Sequence, residues 1–330
     1  MRKMMLVVVA LLVAAGLSRP YHAAQNANEP IAGDWTAKVR NTDRGPRLDL
    51  SLTIDRAGRK RWSQWGLEVP LADFTGLNPN ANSKVQFSLN REAGSVTFDG
   101  LFSEGRGVGE FRFAPNASFA AQLQQMGFEA PSTEKLFTMA VHDVSTRFMA
   151  EMKSLGYEKL SLDKLISFRI FNVNAEFVNK MRALGYSDIP ADKLVALRIH
   201  GVSEEFINEM KAIGYDKLPL DKLIAFRIHG VSAAFVKEMK SLGYSDLSAD
   251  KLIAFRIHGV KPEYVKEMSE LGYSNLSADK LVQFRIHGVS PQFVREMREA
   301  GYNNLTADEL VRLRIHGVDG DYIRKMKGVR

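Results

Sequence analysis

The chain has 330 residues, 45% apolar and 25% charged, with a formal net charge of +7 and no cysteine. That balance belongs to a folded protein of more than one domain rather than to a disordered chain, and the missing cysteine excludes disulfides, thiolate catalysis and thiolate metal sites. The positive charge shrinks once Arg2, Lys3 and Arg19 are set aside with the first 24 residues, because 42 basic residues then face 38 acidic ones; nucleic acid, which asks for a clustered basic face, is not expected.

The first 24 residues have the layout of a secretory signal peptide: a positive start at Met1-Arg2-Lys3, an apolar run from Met4 to Leu17, and a more polar tail from Ser18 to Ala24. The run is short for a membrane span. Export to the periplasm or the exterior is predicted, with an uncleaved N-terminal anchor as the alternative, since cutting after Ala24 places His22 where a small residue is expected. Residues 25–32 read as a linker.

From residue 33 to 116 the pattern has period two. Leu48, Leu50, Leu52 and Ile54 alternate with polar residues, as do Trp35, Ala37 and Val39, and Val85, Phe87 and Leu89. Such alternation buries one face of a strand and wets the other. About six short antiparallel strands are predicted, forming a small sandwich or partly open barrel, with hairpins at Asn90 to Gly94 and near Gly105 to Gly109. Gly33-Asp34-Trp35 resembles the Gly-x-Trp of the first strand of lipocalin-like barrels, but a core tryptophan is the simpler reading and no small-molecule ligand is expected. Gly105-Arg106-Gly107-Val108-Gly109 lies between two strands, whereas a phosphate loop leads from a strand into a helix, so these glycines are read as a bend or bulge.

At Phe119 the period changes. Aromatic residues fall at Phe119, Phe148, Phe177, Phe206, Phe235, Tyr264, Phe293 and Tyr322, always at the same interval. Seven units and a truncated eighth follow, the signature of a solenoid. Each unit is predicted to hold two short helices. In one copy Ser248 caps the first helix and Gly259 ends it; in the next, Ser290 caps, Pro291 takes the first helical position and Gly301 stops the helix. Leu252, Ile253, Phe255 and Ile257 are assigned to one helix core, and Phe235, Val236, Met239 and Leu242 to the other. Helices this short are marginal alone and must be held by neighbouring copies. The fold class predicted is therefore α+β, with an antiparallel β domain at 33–116 and an all-α solenoid of 29-residue helix-turn-helix repeats at 119–330.

Two ladders invite a functional reading. His200, His229, His258, His287 and His316, with His142 in register, stand a whole repeat apart, too far to share one metal ion, and are assigned to helix ends; no metal or other cofactor is expected. Arg169, Arg198, Arg227, Arg256, Arg285 and Arg314 are the candidate binding residues, since arginine suits carboxylates and phosphates. The competing reading pairs them with Asp163, Asp192, Asp221, Asp250, Asp279 and Asp308 in a structural ion-pair ladder. No His-Glu-x-x-His, Gly-x-Ser-x-Gly or phosphate-loop motif occurs, and the protein is not expected to be an enzyme.

Val85-Gln86-Phe87-Ser88-Leu89-Asn90-Arg91-Glu92-Ala93-Gly94, the strand ending Phe111-Arg112-Phe113, and the repeat Leu-x-x-Phe/Leu-Arg-Ile-His-Gly-Val together resemble the extracytoplasmic C-terminal region of some bacterial membrane metallopeptidases of the beta-lactam-sensing antirepressor type. The resemblance covers about residues 33–330, without the peptidase's membrane helices or zinc motif, and implies a stand-alone relative of the accessory region in envelope sensing. Locally, Ile257-His258-Gly259-Val260-Lys261-Pro262-Glu263 resembles a helix-hairpin-helix module, although the second glycine position holds Ser203, Ser232, Lys261, Ser290 or Asp319. The expected function is an exported interaction protein whose repeat surface binds a protein or peptide; nucleic-acid binding through the hairpins is the alternative.

Overall fold

The computed structural model describes residues 31–328 apart from 44 and 57–58, with backbone alone for the rest of 55–65 and for 327. The predicted signal segment, residues 1–24, and most of the predicted linker, residues 25–32, lie outside the described residues. Two compact units divide the chain: one takes in the strands and runs to Phe137, the other comprises Arg91–Ala93 and Thr138 onward.

The first unit is one antiparallel sheet built from β1 (Ala32–Thr42), β2 (Gly45–Arg56), β3 (Arg59–Pro70), β4 (Phe74–Thr75), β5 (Ser83–Arg91), β6 (Gly94–Ser103) and β7 (Arg106–Pro115). Their order is β3-β2-β1-β7-β6-β5-β4, so β3 and β4 are the open edges of a half-barrel. Of the two predicted arrangements this is the partly open barrel, and six of its seven strands are 9–12 residues long rather than short. The alternating residues read from sequence face one side: Leu48, Leu50, Leu52, Val96, Phe98 and Phe111 are buried around Trp35. Phe87 and Phe98 stack at 4.7 Å, and Trp35 meets their rings edge-on at 5.3 and 6.0 Å, the geometry aromatic quadrupoles favour. The indole N–H donates to the Asp99 carbonyl at 3.2 Å, so the ring is buried without a stranded donor.

The glycine-rich stretch is explained by this tryptophan. Glu104 and Gly105 both take positive φ, at 50° and 71°, forming the tight turn between β6 and β7. Gly107 lies within β7, where a Cβ would come within 2.6 Å of the Trp35 ring. Only glycine lets the indole lie on the strand. Phe137 then packs on the same side, 5.8 Å from the Phe111 ring and 5.3 Å from that of Phe113. The division between units therefore falls inside a helix rather than at the end of the strands.

Among the described residues, fifteen helices follow in series: α1 (Ala117–Gln125), α2 (Thr133–Val141), α3 (Thr146–Ser154), α4 (Leu162–Ile170), α5 (Ala175–Ala183), α6 (Ala191–Ile199), α7 (Glu204–Ala212), α8 (Leu220–His229), α9 (Ala233–Ser241), α10 (Ala249–Ile257), α11 (Pro262–Glu270), α12 (Ala278–Ile286), α13 (Pro291–Glu299), α14 (Ala307–Ile315) and α15 (Gly320–Gly328). Their ends follow the predicted chemistry. Ser248 Oγ accepts from the Lys251 N–H and Ser290 Oγ from the Phe293 N–H at 3.3 and 3.1 Å, satisfying donors that a helix start leaves open. Gly259 and Gly301 take φ of 69° and 93°. Where the early copies lack that first glycine, Asp143 and Asn172 adopt the same left-handed conformation, at 54° and 53°, which Asp and Asn tolerate best among side-chain-bearing residues. After these turns, from Val144 to Val289, a valine N–H returns to the buried residue five positions earlier, as Val260 does to Phe255 at 2.7 Å. This closure places both side chains of each of these pairs in the core.

The helices pack as two rows. In one, α4, α6, α8, α10, α12 and α14 each lie against the next; in the other, α9, α11, α13 and α15 do so. Leu165, Leu194, Leu223, Leu252, Leu281 and Leu310 form one buried column, and Met152, Met181, Met210, Met239, Met268 and Met297 another, all six methionines at 0% exposure. This is the nearest-neighbour core of a solenoid-like array.

Candidate interaction surface

The arginine ladder is built into the joints between repeats. Each Nε donates to a backbone carbonyl 27 residues earlier: Arg169 to His142, Arg198 to Phe171, Arg227 to His200, Arg256 to His229, Arg285 to His258 and Arg314 to His287, at 2.8–3.4 Å. Those carbonyls close the preceding copy's helix, where partial negative charge collects. Each guanidinium also lies over an aromatic ring at 4.9–5.1 Å: Arg169 on Phe148, Arg198 on Phe177, Arg227 on Phe206, Arg256 on Phe235, Arg285 on Tyr264 and Arg314 on Phe293. A stacked cation of this kind contributes about 0.5–1 kcal/mol at an exposed site. Arg227, Arg256 and Arg285 remain exposed all the same.

The aspartates have a different partner from the arginines suggested for them. Lys164 pairs with Asp192, Lys193 with Asp221, Lys222 with Asp250 and Lys251 with Asp279, and Lys280 with Asp308 at 2.5 Å. The arginines are drawn off to carbonyls and rings, which leaves lysine as the cation within reach. Asp143 is the exception: standing where later copies have glycine, it binds Arg169 at 2.8 Å.

A further ladder is absent from the sequence reading. The hydroxyls of Tyr157, Tyr186, Tyr215, Tyr244 and Tyr273 donate to carbonyls 32 residues ahead, at 2.6–2.8 Å. Burial pushes all five phenols above their usual pKa, so they stay protonated donors. The available signal is a tyrosine after each repeated glycine from Gly156 to Gly301.

The histidines lie at helix ends, with His200, His258, His287 and His316 in the capping position. Among the described residues no group of three acidic or histidine side chains is placed to hold a metal ion. His142 differs from the rest: burial, and then the nearby Arg169 cation, push its pKa down to about 4.

At the hairpins, the helix N–H groups that a phosphate would need are engaged by the chain itself. Ser203, Ser232 and Ser290 accept from Phe206, Phe235 and Phe293 at 3.1–3.3 Å, and Asp319 accepts from Tyr322 at 2.8 Å.

What remains is an apolar column on the outside. Ile170, Ile199, Ile228, Ile257, Ile286 and Ile315 recur once per repeat and are 44–56% exposed. The exposure of Ile257 corrects its assignment to the core. At about 100° per residue it stands roughly 140° around the helix from Leu252 and 160° from Phe255, and those two already fill the buried face. The arginine heads lie beside this column, since Arg256 reaches the carbonyl of His229, the residue after Ile228.

In the sheet unit an open depression of about 520 Å³ is lined by residues including Val39, Asn41, Pro46, Leu71 and Asn82; Trp35 does not line it. Among the described residues no helix is long and apolar enough to cross a membrane. No protein-family model, curated protein or solved structure matches the chain. Fold and surface together define the class: an α+β protein with a β half-barrel and a helical repeat array.

Proposed function

We propose that this chain is an exported, non-enzymatic interaction protein whose repeat surface binds a protein or peptide. The isoleucine column carries this reading. An isolated exposed isoleucine needs no explanation, but six in register, each placed away from its own core, repeat an exposed apolar side chain once per copy on helices that also carry surface lysine–aspartate pairs. The signal-like start supports export, and the resemblance of the repeat to the accessory region of antirepressor-type metallopeptidases supports a role in envelope sensing.

The test is co-purification from cell envelope with the full chain, in parallel with an Ile228→Ser/Ile257→Ser/Ile286→Ser variant. A protein retained by the native chain and lost by the variant is the expected result. Identical captures from both would remove the reading.

A further inference from the structure

The column's dimensions say what kind of partner it fits. Full burial of an isoleucine corresponds to roughly 60–120 Å² of apolar surface, so six about half exposed offer on the order of 200–400 Å². A stable complex of folded proteins buries roughly 800 Å² per partner. The column is also a single residue wide, a shape that suits a chain segment better than a folded surface or a second copy.

Its pitch narrows the choice. Successive helices of the row pack directly on one another, and packed helices stand about 8–10 Å apart. A polyproline-II segment presents the same face every three residues, about 9.3 Å. A β-strand repeats its face at about 6.6–6.8 Å, and a helix returns a side chain to one line only after seven residues, about 10.5 Å. At a spacing near 9 Å, the middle of that range, the polyproline-II repeat keeps step over six copies, whereas a helix drifts by about 1.5 Å per copy and a strand by more than about 2 Å.

Charge adds the third constraint. The lysine ladder is paired with aspartate, whereas Arg227, Arg256 and Arg285, held by carbonyls and rings, keep exposed guanidinium groups along the edge of the column. Guanidinium groups suit carboxylates, and the carbonyls of a polyproline-II chain have no internal partner.

From these observations we infer that the column binds an extended, acidic peptide segment in polyproline-II conformation, with an apolar side chain at every third residue against the isoleucines. The inference rests on the interaction reading above and names the partner's chemistry.

Fluorescence anisotropy on the full chain tests it, with a labelled peptide of six Leu-Pro-Glu triplets as probe, a Leu→Ser version of it as control, and an amphipathic helical peptide of equal length and charge as competitor class. The triplet peptide is expected to bind. The triple isoleucine variant should weaken it by about tenfold or more, with an unchanged circular dichroism spectrum. Single Ile257→Asn provides a milder variant should the triple one misfold. Failure of the triplet peptide to bind, tighter binding of the helical peptide, or affinity unchanged in the variants would overturn the inference. A dimer that sediments as such and is lost in the variants would also overturn it, by making a second copy the occupant. If the triplet peptide fails while envelope capture still depends on the isoleucines, the interaction reading survives and the extended segment does not.

Discussion

The two units hold themselves together by opposite means. In the half-barrel, one tryptophan is surrounded by residues drawn from strands far apart in sequence, such as Phe87, Phe98 and Gly107. In the helical array the side-chain bonds of the arginine, lysine and tyrosine ladders span 27, 28 or 32 residues, and the same contact is made again in the next copy. A core of the first kind has a single point of failure, whereas the second spreads load over identical joints. One consequence is that the array can leave a whole column of side chains without a packing duty.

The contrast is most severely tested at Trp35. Trp35→Ala should cost about 3–5 kcal/mol, seen in calorimetry as loss or lowering of the sheet transition with the helical transition retained. If both transitions move equally, the two means of stabilisation are not separate. Met239→Ala, at a fully buried array position, should cost about 2–5 kcal/mol. Hydrogen exchange should place the loss in α9 and in its neighbours α8, α10 and α11, fading outward; uniform loss across all copies would contradict nearest-neighbour packing.

A third measurement sharpens the difference between the first copy and its successors. His142 is held neutral with a pKa near 4 against an ordinary 6.5, so the unfolded chain binds the proton first. Stability is therefore undiminished above pH 6.5 and falls as pH drops toward 4, by up to about 3 kcal/mol. Urea titrations of His142→Gln should show a flatter dependence in that window than the native chain. Smaller still is the Lys251–Asp279 pair on the surface: Lys251→Ala should change stability by about 0–1 kcal/mol, less in high salt. Ile257→Ser should leave the melting temperature within about a degree or two. A large drop would mean that the outer column packs after all.

Much of this architecture is legible in the sequence. The period-two runs mark the faces that surround Trp35, and the 29-residue register marks the two helices with their serine caps and glycine stops, because caps and alternation are local chemistry. The two rows of helices follow from the repeat itself. Two features are harder to read. Ile257 and its equivalents look like core residues by type, and in a helix of nine residues the apolar pattern is too brief to separate a buried face from a side position without fixing the phase on Leu252 and Phe255. The arginine's partners are hidden because aspartate is its obvious complement, while the ring it meets lies on the preceding helix and the carbonyl at the end of the helix before that. The tyrosine ladder is concealed for a related reason: its acceptor is a main-chain oxygen, which no residue letter announces.

Because each arginine reaches back a fixed distance, the array has the grammar of a ruler. Excising one whole copy between equivalent points leaves every remaining arginine facing a carbonyl and a ring, whereas a cut one residue shorter leaves the arginine that reaches across it facing the wrong residue. Whole copies can therefore be gained or lost without redesign, and each one lengthens or shortens the outer isoleucine line by one mark.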